Sequence, residues 1–142
     1  MENYENLKLS NQLCFPLYVC SKEIVRQYKP FLDEVGLTYT QYITMMAFWE
    51  KNETNVKDLG KTLFLDSGTL TPVLKTLESK GFITRERSKE DERNLLVKIT
   101  NEGLNLREKC SEIPQKVGCC VKLDKEKAMQ LKSILDELLG KL

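Results

Sequence analysis

Residues 56–100 read VKDLGKTLFLDSGTLTPVLKTLESKGFITRERSKEDERNLLVKIT, and this stretch decides the fold. Asn55, just before it, can cap a helix whose apolar face is Leu59, Leu63 and Phe64. Leu65-Asp66-Ser67-Gly68 supplies a turn and the next cap. Leu70, Val73, Leu74 and Leu77 then recur at helical spacing, and Gly81 is placed to end that helix. Phe82–Arg85 and Leu95–Ile99 read as two strands joined by the loop Ser88–Asn94. Two helices across a tight turn, followed by such a hairpin, make a winged helix-turn-helix. The class is mainly α with a small β-hairpin wing (α+β), built to lay one helix in a DNA major groove.

The polar residues of the stretch agree. Ser67, Thr69 and Thr71 put small hydrogen-bonding groups at the start of the second helix, where backbone must come close to base edges. Lys75, a turn later, suits a phosphate. The hairpin carries Arg85, Arg87 and Arg93, and an arginine at a wing tip can enter a narrow minor groove. Glu86, Glu90, Asp91 and Glu92 lie among them, so charge alone fits a solvated hairpin equally well. Topology and charge together favour double-stranded DNA.

At 142 residues the chain is one domain's worth, divided as a DNA-binding core at 37–100 and helical flanks at 1–36 and 101–142. A net charge of +1 is less basic than a nucleic-acid-binding domain usually is, so affinity must come from local clustering, doubled in a dimer. No run approaches the ~18 apolar residues of a membrane span, so no membrane partner is expected. MENYENLKLSNQ is polar and acidic, unlike a signal peptide, which predicts a cytoplasmic protein. There is no histidine. That removes histidine zinc sites, Ser-His and Cys-His catalytic pairs and imidazole pH sensing, and no enzyme, metal or cofactor is expected. The five cysteines, with no CxxC pair, are expected to be free thiols.

The first long helix is expected from Ser10 or Asn11 to at least Tyr28, with Leu13, Leu17, Cys20, Ile24 and Tyr28 as one apolar stripe. Pro16 requires either a start near Phe15, with the proline in the first turn, or a kink. Pro30 is expected to end or bend this helix, and Gly36 to close the segment. Thr38-Tyr39-Thr40-Gln41 is a capping box opening a buried helix, and Asn52–Asn55 reads as a loop. Beyond the wing, Thr100 caps a long helix bent at Pro114. Leu123-Asp124 leads to a last helix with Ala128, Leu131, Ile134, Leu135, Leu138, Leu139 and Leu142 on a wide apolar stripe. The terminal helices carry more apolar surface than one small winged helix covers, which predicts a homodimer across a twofold axis. Such dimers suit a palindromic operator with half-sites about 34–36 Å apart. Packing of both within one monomer is the alternative.

Cys14 is the thiol of interest, because both helix starts leave it near an N-terminus that favours the thiolate. Tyr28 and Tyr39 come within its reach if the first helix folds back, and phenols can donate to a thiolate without bringing charge. Flanked by Leu13 and Phe15, the same cysteine also fits an inert core position.

Asn11-Gln12-Leu13-Cys14-Phe15, Gln27-Tyr28-Lys29-Pro30, Tyr39, Leu65–Pro72 and Glu90-Asp91-Glu92-Arg93 closely resemble the organic-hydroperoxide-sensing OhrR branch of the MarR family, over nearly the whole chain. The resemblance implies a homodimeric winged-helix repressor that leaves its operator when an organic hydroperoxide oxidises one cysteine. It implies that Cys14 is that cysteine, that Tyr28 and Tyr39 hydrogen-bond to it, and that Arg93, oriented by Asp91, enters the minor groove. Pro16 departs from the aliphatic residue of the family pattern. The family includes members whose second cysteine closes an intersubunit disulfide, and the resemblance places it at Cys119 or Cys120. Adjacent helical residues point about 100° apart, so one of the two is expected to face Cys14 of the other subunit, Cys119 ahead of Cys120. The alternative is a MarR-type repressor released by a small phenolic or drug-like ligand, with no redox role. A thiol peroxidase and an unswitched architectural DNA binder are further rivals.

Overall fold

The computed structural model describes residues 3–87, 90 and 95–142. Two short 3-10 turns precede helix α1, Cys14–Val35. Pro16 falls in its first turn, where a missing N–H costs nothing. The helix continues past Pro30, which does not end it, and stops only at Gly36, whose φ is 71°. The lost bond to the Arg26 carbonyl is tolerated because the helix is long and Leu32, beyond the proline, is buried in the core.

Helix α2, Tyr39–Glu50, opens with both halves of the capping box. The Thr38 hydroxyl accepts from the Gln41 N–H, and the Gln41 side chain accepts from the Thr38 N–H. Strand β1, Glu53–Asn55, lies where a loop was expected. It pairs antiparallel with β3 (Leu95–Ile99), which in turn pairs with β2 (Ile83–Arg87), so the wing is a three-stranded sheet of order β1-β3-β2. This pairing is invisible locally because its partner lies some 40 residues on.

Helices α3, Val56–Leu63, and α4, Ser67–Ser79, form the helix-turn-helix. Asn55 and Asp66 cap them through side-chain oxygens that accept from Asp58 N–H and Thr69 N–H at 2.8 and 2.7 Å. The turn is tight: a Cβ on Gly60 would come within 2.8 Å of the Leu65 carbonyl oxygen. Phe64 departs from the expected apolar face. It caps α3 with φ 55° and is 64% exposed. Leu59, Leu70, Leu74, Leu77, Ile83 and Val97 bury together with Met45 and Phe48 to make the core beneath it.

The long helix expected after the wing is two helices, α5 (Asn101–Cys110) and α6 (Ile113–Cys120), with Pro114 at the second position of α6. Proline there breaks the chain rather than bending it, because its fixed φ suits a helix start. Thr100 caps α5 as expected, and Trp49 Nε1 donates to the Gly103 carbonyl at 2.9 Å. Asp124 caps α7, Lys125–Leu139, which buries none of its residues within the chain.

Candidate nucleic-acid interface and thiol site

Helix α4 presents Ser67, Thr69, Thr71 and Lys75 to solvent while Leu70, Leu74 and Leu77 anchor its other side in the core. The cap at Asp66 fixes the N-terminal turn that carries Ser67 and Thr69. A cleft of about 1060 Å³ runs between α3, α4 and the wing, with Lys57, Lys61, Ser67 and Thr71 among its lining. The geometry holds a row of small donors and acceptors on a rigid helix with cations beside it, which is what major-groove reading requires.

The wing arginines divide. Arg87 is exposed at the end of β2. Arg85 is not free to reach DNA in this arrangement: its guanidinium donates to Glu78 Oε1 from Nε at 3.2 Å and from Nη2 at 3.0 Å, and its backbone N–H donates to Oε2 at 3.0 Å. The Arg85 guanidinium holds the Glu78 carboxyl below its usual range. This pair ties β2 to α4, and so sets the angle between wing and recognition helix. Asp91 and Arg93, the expected wing-tip pair, lie outside the described residues.

Cys14 is the first residue of α1, and it is exposed. The tyrosines are elsewhere. Fourteen residues of unbroken helix separate Cys14 from Tyr28, about 21 Å at 1.5 Å per residue, so the expected fold-back onto Gly36 does not occur. Tyr28 and Tyr39 do meet each other, edge to face with ring centroids 5.0 Å apart, and Tyr42 joins them at 5.8 and 6.3 Å. Burial raises the Tyr28 and Tyr39 phenols above their ordinary value of 10, and pushes Tyr42 up to about 12 with help from Tyr28, Cys110 and Tyr39. Neutral phenols at physiological pH are hydrogen-bond donors. Among the described residues neither Tyr28 nor Tyr39 has a hydroxyl partner, which leaves both available to a group from outside.

The remaining thiols also sort by position. Cys110 is buried, and burial raises its pKa, as a core thiol requires. Cys20, expected within an apolar stripe, is exposed along with Leu13 and Leu17, because among the described residues only the far end of that stripe, Ile24 and Tyr28, is partly covered. Cys119 and Cys120 are both exposed at the end of α6, and the Cys120 thiol donates to the Lys116 carbonyl at 3.5 Å. Tyr42, which completes the aromatic cluster, sits on the helix that the sequence predicts to be buried. Its place at an i+3 step from Tyr39 was the available signal.

Comparison with known proteins adds to this geometry. The family described as transcriptional regulator SarA/Rot matches residues 26–113. The organic hydroperoxide resistance transcriptional regulator of Bacillus subtilis is 49% identical over 140 residues, covering 98% of this chain and 95% of that protein. Reduced AbfR bound to DNA, a protein of Staphylococcus epidermidis, superposes with a TM-score of 0.81 at 33% identity, covering 96% of this chain and 94% of that one. Its disulfide-bonded form superposes at only 0.63, with 33% identity and 97% and 92% coverage.

Proposed function

Since the chain belongs to the MarR family of winged-helix transcriptional regulators, in the branch of the organic hydroperoxide resistance regulator, we propose that it is a homodimeric cytoplasmic repressor that holds a palindromic operator while Cys14 is reduced and releases it when an organic hydroperoxide oxidises that thiol. The observation that carries this reading is the setting of Cys14. It stands exposed at the N-terminus of α1, Tyr28 lies about 21 Å down the same helix with Tyr39 of α2 against it, and Phe15, Leu17, Tyr18 and Val25 between Cys14 and Tyr28 are exposed. A second copy packed antiparallel along α1 would cover that stripe and bring Cys14 of one protomer to the Tyr28–Tyr39 pair of the other. The sensor is then complete only in the dimer.

The chemistry is a two-step exchange. The Cys14 thiolate attacks the outer oxygen of ROOH, the O–O bond breaks to give sulfenic acid, and the departing alkoxide takes a proton from water to leave as ROH. The Cys119 thiolate of the other subunit then attacks the sulfenic sulfur and expels hydroxide, which leaves a disulfide. Closure needs Cα atoms within ~7 Å, so helices that stand further apart must move and carry the wings with them. The better match to reduced AbfR than to its disulfide form supports such a movement between states. Cys120 is the alternative partner.

The test is a gel shift on duplexes that the wild-type protein selects from a random-sequence pool, with and without one equivalent of cumene hydroperoxide. Wild type should bind and release; Cys14→Ser should bind and stay. Nonreducing gels should show a covalent dimer that Cys119→Ser abolishes. Release of the Cys14→Ser protein by peroxide would defeat the proposal. A second reading, release by a small phenolic ligand, is favoured by the hollow of about 280 Å³ between Val25, Lys29, Leu37 and Tyr39.

A further inference from the structure

We propose that Phe64 is an apolar DNA contact, its ring lying against the deoxyribose and thymine-methyl surface of the operator beside the first turn of α4. The inference rests on the DNA-binding reading above and adds a residue to it.

Phe64 is in the wrong place for a core side chain. Leu59, buried, and Leu63, half-buried, supply the inner face of α3, and Phe64, left-handed with φ 55°, leaves that face. Its ring is 64% exposed. A left-handed conformation is uncommon for a bulky L-residue and is retained at a cost in stability. Glycine would meet the backbone requirement without that cost. The turn therefore carries a large apolar ring where the fold has no use for one.

Its neighbours say what the ring faces. Phe64 N–H donates to the Lys61 carbonyl at 3.4 Å, and Lys61 and Ser67, three residues to either side, are exposed. All three line the cleft between α3, α4 and the wing. The ring thus shares one cleft with Ser67 and Thr71, between a cation suited to phosphate and the donors suited to base edges. Sugar and thymine-methyl groups are the apolar parts of duplex DNA that such a position meets.

The experiment uses the full-length dimer and a duplex selected by wild type from a random-sequence pool. Phe64→Gly and Phe64→Asn should fold with a melting temperature equal to or above that of wild type. Both should lose operator affinity by roughly 10-fold or more, the scale of exposing part of an aromatic side chain. The slope of log affinity against log salt should stay the same, because no phosphate contact is removed. Phe64→Tyr should keep wild-type affinity. Unchanged affinity in both variants overturns the proposal, as does a lowered melting temperature, which would make the ring structural. A salt slope shallower by about one would assign the loss to a phosphate contact instead. Failure of wild type to select any duplex would defeat the DNA-binding reading itself, and Phe64 with it.

Discussion

Glu78 and Arg85 show how one ion pair can matter for function without touching DNA. Their three contacts join α4 to β2, with both side chains partly shielded from water. Glu78→Gln should lower the melting temperature by roughly 2–5 °C, the range for a partly exposed but multiply bonded pair. The depressed carboxyl contributes stability that is complete above the ordinary glutamate value near 4.5 and is lost as pH falls through its lower folded value. Thermal melts of the two proteins should therefore differ at neutral pH and converge in acid. Tyr42 works in the opposite sense. Its raised pKa leaves the neutral phenol's stability intact below pH 10, to be lost as pH climbs through about 12. Absorbance at 295 nm should show this tyrosine ionising last, together with alkaline unfolding. Cys110 is buried beside the same cluster, so iodoacetamide should alkylate it only after unfolding, and Cys14 well before.

Two glycines test the element scale. In α5, a Cβ on Gly103 would lie 2.3 Å from the Phe82 carbonyl oxygen and 2.7 Å from Ile99 Cγ1, so the helix presses directly on the end of the sheet. Gly103→Ala should cost about 1–3 kcal/mol or more, read as a lower urea midpoint, because backbone at that distance cannot step aside. In α6, a Cβ on Gly118 meets nothing within 4 Å. Gly118→Ala should raise stability by about 0.5–1 kcal/mol through helix propensity alone. Opposite signs from the same substitution, a few turns apart, would show that packing rather than residue type decides. A loss at Gly118 would instead reveal a close neighbour supplied by another chain.

At the scale of the whole molecule, the unburied apolar surface is the main fact. Leu13, Tyr18, Met129, Ile134 and Leu142 are each at least 60% exposed, and all belong to the terminal segments. A patch of this kind on a single chain marks an association surface. Ile134→Glu with Leu138→Glu should convert the dimer to a monomer in analytical ultracentrifugation while leaving far-ultraviolet circular dichroism close to wild type. Operator affinity should fall with it, since two half-sites are then bound without coupling. A doubly substituted protein that stays dimeric would move the interface away from α7.

The amino-acid order by itself determined four of the helix caps, the α3–turn–α4 unit and the strands β2 and β3, because each depends on residues three or four apart or on a local apolar period. Thr38, Asn55, Asp66 and Thr100 cap as their positions predict, and Asp124, expected only as part of a loop, caps α7 as well. Only the tertiary structure decided the rest. Strand β1 exists because β3 offers it hydrogen bonds, Arg85 faces Glu78 because two elements meet there, and Phe64 leaves the apolar face because its backbone turns left-handed. Most of all, the rigid length of α1 set Cys14 and Tyr28 far apart in one chain. Periodicity records which face a residue occupies, but distance along the molecule is fixed by how far a helix runs, and α1 continues past a proline that invites it to stop.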